Sequence, residues 1–283
     1  MANLRDIKNR IASVKNTKQI TNAMKMVAAA KLRRAQERII NARPYADHID
    51  RMLRILKHKN RISQHPLISG DIESDKDLLV ILTADRGLCG SFNSNVIKRA
   101  KKYLDKNPNT DFICVGKKGF EQIGKKYKGM LKKYIDVFNE MDFSVSSEIG
   151  LFLLNEFLAG KYKKIKVLYN EFKSAIQQDI KVKQLFPIIP IEKEETTQID
   201  FLYEPDANTI IEELGRKYVD VEIWKMMLES SAAEQGARMT AMDSATDNAE
   251  ELIDQLTLDF NRKRQESITT EIIEIASGAE AIQ

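Results

Sequence analysis

The first 69 residues of this 283-residue chain contain no glycine, and no proline follows Pro205. Glycine and proline are the strongest punctuators of regular structure, so their absence at both ends leaves room for long helices there. Nine of the twelve glycines fall between Gly70 and Gly160. The order reads helix, mixed domain, helix. Cysteine is also scarce: Cys89 and Cys114 are the whole supply, too few for a disulfide framework or a cysteine metal cluster. No apolar run approaches the roughly 20 residues needed to cross a bilayer. Charges recur every few residues from Arg5 onward, so the start lacks the apolar core of a secretion signal. Neither GxxxxGK[ST] nor GxGxxG occurs anywhere. The net charge is only +4 with 30% of residues charged, a balance that does not suggest a nucleic-acid protein. These absences predict a soluble chain on a reducing, cytoplasmic side, with any membrane association made through a partner.

What is present begins with ITNAMKMVAAAKLRRAQERIINARPY, residues 20–45. Small or apolar residues run Ala28, Leu32, Ala35, Ile39, Ala42, Ala46, Ile49, Leu53, Leu56, in alternating steps of four and three that make one narrow seam. Leu4, Ile7, Ile11 and Val14 do the same, in what reads as a shifted register. Pro44 lies inside the pattern, which continues in phase beyond it, so a kink is expected rather than a break. A helix over residues 2–57 would be about 80 Å long at 1.5 Å per residue. The last segment has the same alternation through Ile211, Leu214, Tyr218, Val221, Leu228, Ala232, Met239, Met242, Ala249, Ile253, Leu256 and Phe260, with polar insertions at Lys225, Gln235 and Thr246. The phase slips and resumes at Ile268, Ile272, Ile275, Ala279 and Ile282. A helix over 207–280 would be about 110 Å long, more than a domain of this size can surround.

Charge indicates how the two helices associate. Residues 1–61 carry 16 Lys/Arg against 4 Asp/Glu, a net of +12, whereas residues 206–283 carry 7 against 17, a net of −10. Opposite flanking charges set partner and orientation in coiled coils, and an intervening domain that returns the chain favours an antiparallel pair. The plainer alternative is that each excess is a solvated face.

The middle reads as α/β. DLLVILTAD (77–85), DFICVG (111–116), KIKVLYNEF (164–172) and KVKQLFPIIP (181–190) are strand-like, and NSNVIKRAKKYLDKN (93–107) and SSEIGLFLLNEFLAG (146–160) are helical. This alternation predicts a small Rossmann-like, mostly parallel sheet inserted between the long N- and C-terminal helices, with boundaries at 1–60, 70–204 and 207–283. DRGLCGSFN (85–93) stands where such folds cradle phosphates, but it lacks a nucleotide-loop pattern, as does VGKKGF (115–120). It reads as a tight turn freed by Gly87 and Gly90 with Cys89 buried. The rival reading, a catalytic Cys89, has no evident base to support it. His48, His58 and His65 have no metal spacing and read as exposed residues near the end of the first helix. No catalytic, cofactor-binding or metal-ligating set is expected.

Four stretches carry a resemblance: IASVKNTKQITNAMKMVAAAKLRRAQ (11–36), TADRGLCGSFN (83–93), SAAEQGARMTAMDSATDNAEELI (231–253) and RQESITTEIIEIASGAEA (264–281). Together, and in this order, they resemble the gamma subunit of the F-type ATP synthase, of bacterial type. The resemblance implies a non-catalytic central rotor shaft, an antiparallel coiled coil standing inside a hexamer of alpha and beta subunits. Its α/β domain would seat, with the epsilon subunit, on the membrane c-ring. Proton-driven rotation of the ring would be coupled through it to ATP synthesis or hydrolysis at the beta sites, with control of ATPase activity and proton flow. The expected place is the cytoplasmic face of the bacterial inner membrane, as a peripheral subunit and without cofactors.

The resemblance also implies contact residues for the alpha/beta sleeve: Met24 in AMKMVAA, Arg238 in GARM, Arg264 and Gln265 in RQESIT, and Thr269 and Glu271 beside them. Read from the residues alone, Met24 is a seam methionine and the others are solvated helix residues. The chloroplast members of the family carry an inserted regulatory cysteine pair; Cys89 and Cys114 do not reproduce it. No transit-peptide-like extension precedes the first helix, which favours a bacterial source. Two other readings remain open on the residues themselves: a coiled-coil adaptor or nucleic-acid binder using the basic first helix, and a small α/β enzyme with helical arms.

Overall fold

In the computed structural model the described residues are 4–58, 65–139, 141–188 and 207–280. Helix α1 runs from Leu4 to His58 with Pro44 inside it. Pro44 is exposed, and the helix continues through it. A short helix α2, Pro66–Ser69, leads into strand β1, Asp77–Leu82. Next come α3 (Phe92–Lys106), β2 (Thr110–Val115), a single turn α4 (Lys117–Gly119) and a π-helical turn, Phe120–Gly124. Strand β3 (Met130–Tyr134), α5 (Phe143–Leu158), β4 (Lys164–Phe172), β5 (Gln178–Phe186) and α6 (Ala207–Glu280) complete the order. The expected strands and helices are present within a few residues. The segment expected as strand 181–190 is β5, which starts earlier and stops before Pro187. Strand β3 and the π-helical turn were not anticipated.

The chain divides into two compact units, Met1–Ala28 with Met239–Gln283, and Ala29–Arg238. The first is a pair of helices. Lys18 Nζ meets Glu250 Oε1 at 2.7 Å, the hydroxyls of Thr21 and Thr246 are 2.8 Å apart, and Lys25 pairs with Asp243. As the α1 number rises the α6 number falls, so the pair is antiparallel. The α1 seam is not shifted, contrary to the sequence reading. Positions 7, 11, 14, 18, 21, 25 and 28 keep the four-and-three alternation without a break; Lys18, Thr21 and Lys25 occupy places where apolar residues were sought.

The second unit holds a five-stranded sheet in the order β3-β2-β1-β4-β5. The first four strands are parallel and β5 is antiparallel to β4. Strand β1 is central: Val80 lies beside Ile113 of β2 and beside Val167 of β4. Both faces are covered, which is why β1 reads as an unbroken apolar run. On one face Val96, Ala100 and Leu104 of α3 and Ile123 pack on Leu79, Ile81 and Phe112. On the other, Ile149, Leu153 and Phe157 of α5 join Tyr218, Val219 and Met226 of α6 and Ala46, Ile49 and Leu53 of α1. Each of the Val, Leu, Ile, Phe and Met side chains among them contributes about 1.5–3 kcal/mol by leaving water. Residues 226–236 of α6 are buried on every side, unlike the rest of that helix. Within this unit Lys225 of α6 bonds Asp47 of α1 at 2.8 Å, and Arg43 lies 3.8 Å from the buried carboxylate of Glu229.

His65 corrects another expectation. It is not an exposed residue of the first helix but caps α2, its Nδ1 accepting from the Leu67 amide at 3.3 Å, and only 9% of its side chain is exposed. His48 is exposed as expected.

Candidate functional site

The carboxyl ends of parallel strands are where an open α/β sheet binds ligands. Here those ends are tied to one another by side chains. Asp85, 6% exposed, lies just after β1. Its Oδ1 accepts from the Lys117 amide at 2.8 Å and the Asp136 amide at 2.9 Å, and its Oδ2 accepts from the Phe138 amide at 3.1 Å. Those amides lie just after β2 and β3. Thr83 Oγ1 accepts from the Gly119 amide at 2.8 Å. The chain also passes too close here for a side chain: a Cβ on Gly116, whose φ is +101°, would stand 2.0 Å from the Thr83 carbonyl oxygen. Backbone donors that would hold a phosphate are already holding an internal carboxylate and a hydroxyl.

The next residues form a rigid turn. Asn93 Oδ1 accepts from the Ala84 amide at 2.9 Å, and Asn93 Nδ2 donates to the Arg86 carbonyl and to Cys89 Sγ. Cys89 is packed against Ala84, Phe92 and Ala233. Burial pushes its thiol upward, the opposite of what a nucleophile needs. Cys114, in the core, is pushed up to about 12 by burial. With that value, about one thiol in ten thousand is ionised at pH 8. Iodoacetamide is therefore expected to leave both cysteines unmodified in the folded chain and to label both in denaturant. Mass spectrometry of the treated protein checks this, and rapid labelling of Cys89 in the native state would restore the nucleophile reading.

Arg238 belongs to this turn. Its Nη2 donates to the Gly87 carbonyl at 3.1 Å and meets Glu234 Oε1 at 2.6 Å, and only 11% of its side chain is exposed. Desolvation raises the Glu234 carboxyl, with Arg238 acting in the opposite direction. Met24, in the other unit, is half-buried. Arg264, Gln265, Thr269 and Glu271 lie together on α6, all exposed. Thr269 donates its hydroxyl back to the Gln265 carbonyl at 2.9 Å. Extending the antiparallel register of the first unit puts Leu4 opposite about residue 264, so the remainder of α6 projects past the first described residue of α1. From Arg264 to Gly278 every residue is exposed. These include Ile268, Ile272, Ile273 and Ile275, at 47%, 61%, 58% and 67% exposure. The isoleucines read from the sequence as a resumed seam thus have no partner among the described residues.

Residues 3–282 match the family described as ATP synthase. The ATP synthase gamma chain of Prosthecochloris aestuarii is 48% identical, the alignment covering 100% of this chain and 99% of the relative. That of Pelodictyon phaeoclathratiforme is 46% identical over 100% and 99%. This chain belongs to the ATP synthase gamma family. Among solved structures, a central-stalk chain of the Tetrahymena thermophila mitochondrial ATP synthase, solved with its c-ring, superposes with a TM-score of 0.63. It is 25% identical, covering 80% of this chain and 99% of that one. A rotor chain of the Euglena gracilis mitochondrial ATP synthase shares the fold at a TM-score of 0.67 and 20% identity, over 94% and 98%.

For a gamma-family chain, the geometry sorts the six candidate contact residues into different settings. Four form one exposed group on α6, Met24 is part of the helix pair, and Arg238 is committed to the turn after β1. Sequence reasoning missed Asp85 and Asn93, which organise that turn. The available signal was the pairing of Asp85 with the Gly-containing stretch after β2, where backbone amides are free to converge.

Proposed function

We propose that this chain is the rotating central shaft of a bacterial F-type ATP synthase and does no bond-making chemistry itself. The single observation that carries the reading is the stretch 264–278 of α6, a helix that keeps four isoleucines exposed to solvent in the isolated chain. An exposed apolar stretch of that kind marks an interaction surface. A ring of alpha and beta subunits is the partner that the family supplies, and Met24, Arg238, Arg264, Gln265, Thr269 and Glu271 are its contacts in this reading, Arg238 from the turn it also holds. A shaft without threefold symmetry, turning inside three equivalent catalytic sites, would bias each site differently. The epsilon subunit and the c-ring are the partners proposed for the α/β unit, on the cytoplasmic face of the inner membrane. Thr83 and Asp85 support the non-catalytic assignment, because they occupy the donors that a nucleotide would need.

The test is native mass spectrometry of this chain co-expressed with the alpha and beta subunits of its own source, with ATPase activity measured on the same sample. One copy per three alpha and three beta is the expected result. A chain that stays apart as a monomer or homo-oligomer would return the adaptor reading.

A further inference from the structure

Three consecutive seam positions of α1 in the first unit are polar: Lys18, Thr21 and Lys25. Each faces a chemical complement on α6. Lys18 Nζ meets Glu250 Oε1 at 2.7 Å, Thr21 and Thr246 share a hydrogen bond of 2.8 Å, and Lys25 pairs with Asp243. Thr21 is only 8% exposed. Each hydroxyl also reaches a carbonyl of its own helix, Thr246 that of Met242 at 2.8 Å and Thr21 that of Lys18 at 3.1 Å, so either can supply the proton shared across the seam. The seam on either side is apolar, with Ala28 and Met242 beyond one end and Ile7 and Leu256 beyond the other, all buried.

Apolar seams of small and mixed residues discriminate poorly between registers that differ by one heptad. A polar residue at a seam position fixes register at a cost in stability. Here the code has three rungs, and only one register satisfies all of them. If α6 slides by seven residues one way, Lys25 still meets a carboxylate, Glu250. Thr21 then meets Ile253, and Lys18 meets Thr257. If it slides the other way, Lys18 meets Asp243, but Thr21 meets Met239 and Lys25 meets Gly236. In either alternative one ion pair is lost, and the Thr21 hydroxyl, which keeps its bond to the Lys18 carbonyl, loses its partner across the seam and faces a hydrophobic side chain instead.

We infer that Lys18–Glu250, Thr21–Thr246 and Lys25–Asp243 form a register code that selects how the two terminal helices pair. They are positioning residues: they set which part of α6 projects beyond the pair. Their relevance to rotation rests on the shaft reading, but the code itself is a property of the isolated chain.

The test uses the full chain with spin labels on S13C and Q255C, two exposed positions that the native register places across from each other. A slip of one heptad moves one label about 10 Å along the axis, within reach of pulsed electron resonance. The parent chain is expected to give one narrow distance population. The K18M/T21V/K25M variant is expected to stay helical by circular dichroism, to melt no lower than the parent, and to show a second population displaced by about that amount. Swapping the ionic rungs, in K18E/K25D/D243K/E250K, is expected to restore a single population. A single native distance in the first variant would overturn the inference, as would a second population in the swapped one. Both results are read without alpha, beta or any activity, so failure here is separate from failure of the shaft reading.

Discussion

Replacing Ile272 and Ile275 with glutamate is expected to leave the melting temperature of the isolated chain within about 2 °C of its parent, because exposed substitutions rarely change stability by more than about 0.5 kcal/mol. Both side chains are more than half exposed, and α6 makes no ion pair at either position among the described residues. Glutamate is at least as good a helix former as isoleucine. In the assembled complex the outcome should be very different. If 264–278 turns inside an apolar sleeve, each new carboxylate must leave water with no counter-charge, a cost of several kcal/mol. Every 1.4 kcal/mol is a factor of ten in an equilibrium constant, so assembly or coupled activity should fall by about tenfold or more. The measurement is ATP-driven proton pumping in vesicles reconstituted with the whole complex, beside the melting curve of the free chain. Unchanged coupling would mean that the isoleucines do not meet an apolar surface, and the observation carrying the shaft reading would be lost. A collapse in the melting temperature of the free chain would instead show that they already pack within this chain.

Most of what could be read from the sequence rests on burial, and the antiparallel pairing of the end helices rests on their opposite charge, met in the fold by Lys18–Glu250 and Lys25–Asp243. Strands β1 and β2 are covered on both faces and carry the apolar runs LLVIL and FICV, while β4 has a buried centre, Val167–Tyr169, between charged ends. The seam of α1 from Ala28 to Leu53 is buried on one side, so it shows as period. Individual polar groups that hold the structure were harder to read. The α1 seam looked shifted because Lys18, Thr21 and Lys25 occupy it with their own partners on α6, and a pattern search for hydrophobes passes over such positions. Strand β3 has the sequence MLKKY and lies at the sheet edge, where lysines are tolerated and no apolar run is required. His65 looked like a surface residue because a single histidine gives no hint that its ring nitrogen will cap a helix. Arg238, matched through the resemblance to an intersubunit contact that stays a proposal, also bonds the Gly87 carbonyl, a partner 151 residues away that no local pattern indicates. The exposed group at Arg264–Glu271 is the converse case. Read from the residues alone they are solvated helix residues; the resemblance singles out four of them, and the fold adds that they stand in a stretch, 264–278, exposed throughout.

The largest effect on the chain itself is expected at Asp85. Asp85→Ala removes the acceptor of three backbone amides, those of Lys117, Asp136 and Phe138, in a site that is almost closed to water. An unsatisfied buried donor costs about 1–3 kcal/mol, and bonds to a charged acceptor lie at the upper end. The three are not additive, because the loops can relax and admit water, so a loss of about 3–5 kcal/mol is expected. That is a large fraction of the roughly 5–15 kcal/mol that holds a typical domain together. The damage should be local in a way that identifies its cause. The loops after β2 and β3 lose their tie to β1, so amide hydrogen exchange should rise first at 116–120 and 135–138. Exchange in the antiparallel pair around Thr21 and Thr246 should not change. Asp85→Asn retains one carbonyl acceptor and places an amide group, itself a donor, among donors, so it should recover part of the loss but not all of it. Urea denaturation of the two variants checks the order, alanine below asparagine below parent. Equal stability of the alanine variant and the parent would mean that water replaces the carboxylate without cost. The site at the strand ends would then be open to an external anion after all, and Thr83 and Asp85 would no longer speak against a phosphate cradle there.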